Sequence, residues 1–205
     1  MGKILDEYSI NSIENIFSHK EHYFINVLND LRNSKFQKIF TDSQEWEKLT
    51  FYLVFSSLRT KKQKENVEKN LSKFQHFSNG DLNLDNLHWP WIISTGYRLF
   101  LGISLKKDSL KINILEVNGP RNLITGDYPV INTYGLGKDL NEPVEGLEFY
   151  HPVSPKLAII FSDKVDKNEV IKIDEDQVIK FNKVVMSESL EQVYAQKKED
   201  FVGLF

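Results

Sequence analysis

The sequence predicts an α+β fold, in which an N-terminal helical half packs on a small, mainly antiparallel sheet that a C-terminal helix closes. Apolar residues recur at helical spacing through about the first hundred positions. From Leu110 onward, short apolar runs instead alternate with polar residues and are separated by turn residues, as in strands. Helices and strands that are segregated along the chain in this way are typical of α+β proteins with mainly antiparallel sheets.

The 205 residues fit a single domain, residues 1–205. We expect a helical lobe at about residues 9–102, and the sheet with the C-terminal helix at about 109–201. The first helix begins at a capping box, Asn11 to Glu14, and runs to Arg32. The remaining helices of the lobe are predicted at about 42–59, 61–77 and 92–101. The second of the four is apolar on most sides, so we expect it to be central and buried.

The second half predicts five strands and one helix. Leu110, Ile112 and Ile114 alternate with polar residues, which indicates the first strand. Further strands are predicted at 121–125, 147–150, 157–162 and 170–173. A glycine- and proline-containing loop covers 135–146, and a final helix covers about 175–199.

The composition excludes several classes of protein. The net charge of −3 gives no global field that would attract nucleic acid. The absence of cysteine excludes disulfides, thiol nucleophiles and cysteine-ligated zinc. No window approaches the roughly 18 apolar residues of a membrane span, and the first residues lack the pattern of a signal peptide. We therefore expect a cytoplasmic protein with no membrane partner.

The motif TGDYP, residues 125–129, poses the main functional question of the sequence. Gly126 permits a positive φ and Asp127 bonds readily to nearby backbone, so turn chemistry alone explains the motif. Carboxylates at strand ends also serve as first ligands in metal-dependent hydrolases and nucleases. The following strands lack the acid–x–Lys partner of a nuclease, which leaves Asp127 as a candidate catalytic or metal-binding residue without that support.

The helices supply the other candidates. Glu14 and Glu21 are seven residues apart and therefore lie on one helical face, and His19 and His22 flank Glu21 without a recognised metal-binding spacing. Arg59 ends the second helix, where the macrodipole favours a cation, and its guanidinium is also suited to clamp a carboxylate or phosphate. A further set of lysines shares one face of the third helix and offers a weak nucleic-acid surface, namely Lys62, Lys69 and Lys73.

The strand region offers one base and one nucleophile, His151 and Ser154. No nucleophile elbow surrounds the serine, and the prolines beside both residues are easily explained by a strand edge. The glycine-containing stretch at 134–138 has only a superficial likeness to a phosphate loop.

Several of these motifs, in this order, resemble the bacterial domain of unknown function 4238 family. The shared features are a helix with two spaced glutamates, Glu14 and Glu21, and a helix that ends in Arg59-Thr60. TGDYPV at 125–130, HPVSPK at 151–156 and Asn182 in the last helix complete the resemblance, which would cover nearly the whole chain. Gly126 stands where the family has serine, and the usual His-Tyr-x-Pro segment near the start is missing.

Pattern and resemblance together predict that Glu14, Glu21, Arg59 and Asp127 converge into one polar cluster. We expect a binding or interaction module, with Glu14, Arg59 and Asp127 as ligand-binding residues, a protein as the possible partner and no cofactor. As part of this hypothesis, the module is an accessory associated with defence systems or mobile elements. The alternative is a metal-dependent hydrolase or nuclease, in which Asp127 acts with Glu14 or Glu21, Arg59 assists, and a divalent metal is the cofactor.

Overall fold

The computed structural model describes residues 24–72, 84–138 and 144–204. The helical half contains α1 (24–32), α2 (Phe36–Thr41), α3 (Ser43–Leu58), α4 (Lys61–Ser72) and α5 (Leu84–Leu105). Asp42 caps α3, because its Oδ1 accepts the Gln44 N–H at 2.8 Å. Leu49, Leu53 and Val54 of α3 have no exposed surface. The prediction that α3 is central and buried is therefore confirmed.

The second half forms a five-stranded sheet and a small two-stranded sheet. The large sheet has the order β3 (Ile131–Asn132), β4 (Glu148–Ser154), β5 (Leu157–Ser162), β1 (Lys111–Val117) and β6 (Glu169–Ile173). Only β1 and β6 are parallel to each other, and the other neighbouring strands are antiparallel. The small sheet pairs β2 (Thr125–Gly126) with β7 (Val193–Tyr194).

Both faces of the large sheet are covered. In β1, Ile112 and Ile114 pack into the core that α1, α2, α3 and α5 share with one face. Leu115, whose side chain points the opposite way, packs into a second core with α6 (Glu175–Glu188) and the segment 122–131. The α+β fold, the mainly antiparallel sheet and the closing C-terminal helix are confirmed.

The boundaries of several elements differ from the predictions. α5 is longer than predicted, and the short helix α2 was not predicted. Residues 121–124 are not a strand, and only Thr125 of the predicted segment pairs in a sheet. The last helix, α6, ends at Glu188 rather than near 199. The start of the first predicted helix lies outside the described residues. In the three described segments, no helix has the length and apolar character needed to cross a membrane.

Candidate ligand-binding cleft

The carboxylate of Asp127 binds the backbone that follows α6. Its Oδ1 accepts the Leu190 N–H at 2.9 Å, and its Oδ2 accepts the N–H groups of Glu191 and Gln192 at 2.7 and 3.2 Å. The Asp127 N–H in turn donates to the Gln192 carbonyl at 3.0 Å. Asp127 thus fastens the TGDYP motif to a segment more than sixty residues later, whereas we expected a bond to nearby backbone.

The protonation of Asp127 follows from these contacts. Partial burial raises the pKa of Asp127, but the three backbone N–H groups lower it by more, so the pKa lies below its ordinary value. The carboxylate is therefore ionised at neutral pH. Both of its oxygens already accept hydrogen bonds from the backbone, which is an architectural role.

A close steric contact, which the turn prediction did not include, explains why residue 126 is glycine. A Cβ at this position would lie 1.9 Å from Ser189 Oγ and 3.1 Å from the Gln192 carbonyl oxygen. Its φ does not lie in the left-handed region, so the freedom that glycine offers in turns is not used. Glycine is required here because the chain after α6 approaches closely.

Of the other predicted members of the polar cluster, the structure describes only Arg59. The guanidinium of Arg59 lies 5.9 Å from the centroid of the Trp89 ring, a cation–π contact. Within the described part of the chain, no group of three or more histidine or acidic side chains is arranged to hold a metal ion. The remaining candidates lie outside the described residues, namely Glu14, His19, Glu21 and His22. The convergence of the cluster and the metal site of the alternative stay predictions.

His151 is buried and connects the sheet to α3. Its Nδ1 lies 2.9 Å from the Pro129 carbonyl oxygen and its Nε2 lies 3.1 Å from the Tyr52 hydroxyl. Burial lowers the pKa of His151 to about 4, so the ring is neutral at pH 7, with Nδ1–H donating to Pro129 and Nε2 accepting from Tyr52. Ser154 Oγ accepts the Lys156 N–H at 3.3 Å. Because both ring nitrogens are engaged, His151 is not arranged as a base for Ser154.

Buried polar side chains hold the segment that was predicted as a strand. Asn182 Oδ1 accepts the Ile124 N–H at 3.0 Å, and its Nδ2 donates to the Asn122 carbonyl at 2.9 Å. Asp200 accepts the backbone and side-chain N–H groups of Asn122, each at 3.0 Å. Asn122, Asn182 and Asp200 are all at least 98% buried. These side chains take the place of a neighbouring strand, which explains why residues 121–124 are irregular.

The predicted lysine face of α4 is partly directed into the protein. Lys62 Nζ donates to Glu188 Oε2 at 2.6 Å and to the Glu188 carbonyl at 2.9 Å. It also lies 5.0 Å from the centroid of the Tyr128 ring. Lys73 is outside the described residues. Nucleic-acid binding at this face stays a prediction.

A cleft of about 590 Å³ opens between the C-terminal half of α5 and the strands β3 and β4. Five apolar side chains form part of its lining, namely Leu99, Ile103, Leu110, Leu147 and Phe149. Tyr128 of the TGDYP motif lies at the cleft, and its hydroxyl accepts the Gln63 Nε2–H at 3.2 Å. Burial raises the pKa of Tyr128, so the phenol stays protonated at neutral pH.

Three exposed residues spaced four apart form one wall of this cleft: Arg98 and Gly102 lie in the C-terminal half of α5, and Lys106 directly follows the end of the helix at Leu105. Within the described segments, the side chains of Arg98 and Lys106 make no hydrogen bond or ion pair. A Cβ at Gly102 would meet no other atom within 4 Å, so the surrounding structure does not require glycine there. Asp163, exposed after β5, lines the same cleft, and within the described segments its carboxylate makes no hydrogen bond or ion pair.

Sequence reasoning missed this cleft. Its signal was the spacing of Arg98, Gly102 and Lys106, which places two cations and a glycine at four-residue intervals along the chain. Because the fourth helix was predicted to end near Leu101, Gly102 was not assigned to it.

The fold and the cleft define a three-layer α+β protein with an open groove beside α5. The chain belongs to the family described as Protein of unknown function (DUF4238), whose model matches residues 97–199. The predicted family is confirmed, although the match covers a shorter part of the chain than the resemblance suggested. It includes Asp127, His151 and Asn182 as well as the α5 wall of the cleft. No curated protein and no solved structure matches the chain.

Proposed function

We propose that the protein is a binding module whose ligand occupies the cleft beside α5. The observation that carries this proposal is the cleft itself. Its volume of about 590 Å³ is in the range of small-molecule sites, and it combines apolar side chains with a few polar groups. The polar groups of Arg98, Lys106 and Asp163 have no side-chain partner in the described residues, so their hydrogen-bonding capacity is available to a ligand.

A binding role also agrees with how the candidate catalytic residues are used. Asp127 Oδ1 and Oδ2 accept hydrogen bonds from backbone, and both ring nitrogens of His151 have partners within the fold. Each of these side chains joins parts of the chain that are distant in sequence. These side chains therefore stabilise the fold, whereas the polar groups that remain available to a ligand lie in the cleft.

The test is a thermal-shift screen of small molecules against the wild-type protein and Gly102→Phe. A Cβ at position 102 would meet no other atom within 4 Å, so a side chain can leave the helix there, and we expect the phenylalanine ring to occupy the cleft. We expect ligands that raise the melting temperature of the wild type and lose this effect in Gly102→Phe. Gly119→Phe is the matched control, because Gly119 is also exposed with open space and does not line the cleft.

Ligands that stabilise both proteins equally would place binding elsewhere and contradict the proposal. So would the absence of any stabilising ligand. The screen includes divalent metals, because the metal-dependent alternative with Glu14, Glu21 and Asp127 predicts a metal-dependent rise in melting temperature that Asp127→Asn removes. A protein partner, a cytoplasmic location and an association with defence systems or mobile elements remain part of the proposal for the protein as a whole.

A further inference from the structure

We propose that the cleft binds a phosphate monoester, whose phosphate lies over Gly102 between Arg98 and Lys106 and whose other end presents hydrogen-bond donors to Asp163. This inference rests on the proposed function, since it names the class of ligand for the same cleft. It follows from the arrangement of charge and open space on the two sides of the cleft.

The α5 wall has the geometry of an anion clamp. Arg98 lies one helical turn before Gly102, about 6 Å along the helix axis, and Lys106 follows the end of α5, four residues after Gly102. Their side chains are long enough to converge over the glycine. Arginine donates in a planar fork and lysine donates as a compact charge, and both arrangements are common at phosphates.

Gly102 explains how an anion reaches this wall. Glycine within a helix is less favourable than alanine by about 1 kcal/mol, and no neighbouring atom prevents a side chain at position 102. Glycine at this open position leaves the helix backbone accessible to a ligand that approaches closely. A phosphate monoester carries nearly two negative charges and three acceptor oxygens at neutral pH. It can therefore neutralise two cations, whereas a ligand carboxylate carries only one negative charge.

The rest of the cleft restricts the other end of the ligand. Asp163 is an exposed carboxylate and therefore repels a second anionic group, but it accepts hydrogen bonds from hydroxyl or amino groups. The apolar side chains, among them Leu99 and Phe149, suit a carbon skeleton or ring between the two ends. This combination is the chemistry of a nucleoside monophosphate or a sugar phosphate.

The test is isothermal titration calorimetry with adenosine monophosphate, glucose 6-phosphate and inorganic phosphate, each organic phosphate paired with adenosine or glucose. We expect at least one phosphate monoester to bind wild-type protein, and its unphosphorylated partner to bind at least tenfold more weakly. Arg98→Gln and Lys106→Gln should each weaken binding roughly tenfold or more, because each removes charge-assisted hydrogen bonds. Lys183→Gln, which removes an exposed cation from α6, is the control and should leave affinity unchanged.

The outcomes separate this inference from the proposed function. If adenosine or glucose binds as tightly as its phosphate and Gly102→Phe abolishes both, the cleft is a ligand site and the phosphate clamp is wrong. Phosphate monoesters that bind equally well to Arg98→Gln and Lys106→Gln would also overturn the clamp. If neither the phosphates nor any compound of the thermal-shift screen depends on Gly102, the proposed function fails as well.

Discussion

Tyr52 and His151 share a hydrogen bond of 3.1 Å across the interface between α3 and the sheet. The same histidine reaches the Pro129 carbonyl with its other nitrogen, so one side chain connects the helical lobe, β4 and the TGDYP motif. The ring must be neutral to accept from Tyr52. The interface therefore depends on the protonation of His151.

The first prediction concerns acid stability. The pKa of His151 falls from 6.5 to about 4 on folding, so the unfolded chain binds an additional proton between these values. His151 therefore does not reduce the free energy of unfolding above pH 6.5. As the pH falls from 6.5 toward 4, the free energy of unfolding decreases by about 3 kcal/mol in total because of this group. Urea unfolding across this range should show a pH dependence that His151→Gln lacks. An unchanged pH dependence in that variant would contradict the assignment.

The second prediction concerns Asp127. Asp127→Ala leaves three backbone N–H groups without their acceptor and should reduce the free energy of unfolding by about 1–2 kcal/mol. Because the folded pKa of Asp127 lies below 3.8, its contribution is present above that pH and is lost as the pH falls through the folded value. Asp166→Ala removes an exposed carboxylate elsewhere and serves as the control. Equal stability of the two variants would show that the backbone contacts of Asp127 do not matter.

The third prediction concerns Asn182. Asn182→Ala removes the partners of the Ile124 N–H and the Asn122 carbonyl in a region without exposed surface. We expect a loss of about 3 kcal/mol in the free energy of unfolding, since buried polar groups without partners are costly. Lys183→Ala, at the neighbouring exposed position, should change stability by less than about 0.5 kcal/mol. A similarly small effect of Asn182→Ala would refute the structural role.

The fourth prediction compares two glycines. Gly126→Ala should destabilise the protein, because the new Cβ would collide with Ser189 Oγ. Gly102→Ala should stabilise it by up to about 1 kcal/mol, because alanine favours the helix and the position has open space. Melting temperatures of the two variants should therefore shift in opposite directions. A shift in the same direction would show that one of the two environments is misassigned.

The fifth prediction compares two tyrosine hydroxyls. Tyr150 has no exposed surface and its hydroxyl has no hydrogen-bond partner in the described residues, whereas the Tyr52 hydroxyl bonds to His151. Tyr150→Phe removes an unsatisfied buried group and should raise the free energy of unfolding by about 1 kcal/mol. Tyr52→Phe should lower it by about the same amount. Destabilisation by Tyr150→Phe would indicate a partner for that hydroxyl.

Local patterns in the sequence predicted most of the fold. The alternation of Ile112 and Ile114 with polar neighbours identified β1, because strand periodicity is set by the side chains themselves. The apolar residues on several faces of α3 identified it as a central, buried helix. The predicted strand at 121–125 was wrong. Its apolar residues have the pattern of a strand, but its backbone N–H groups donate to the side chains of Asn182 and Asp200. No local pattern reports partners at such distances in sequence.

The candidate site was less predictable than the fold. Asp127 was predicted as a candidate site residue, and its observed acceptor role depends on the backbone at 190–192, which was predicted to be helical. The cleft depends on which face of α5 stays exposed, and only the packing of the helices decides that. The sequence alone could not show that the space around Gly102 is open, because that depends on how α5 packs against the rest of the protein.

The anchoring of the TGDYP region by later residues has a consequence for the order of folding. Asn122 and Ile124 depend on side chains 58 to 78 positions further along, and Asp127 depends on backbone 63 to 65 positions further along. While the chain emerges from the ribosome, the helices of the N-terminal half can form before these partners exist. The region at 122–127 can settle only after synthesis has passed Asp200. Contacts between such distant positions form slowly, so this region should be among the last to acquire protection from hydrogen exchange.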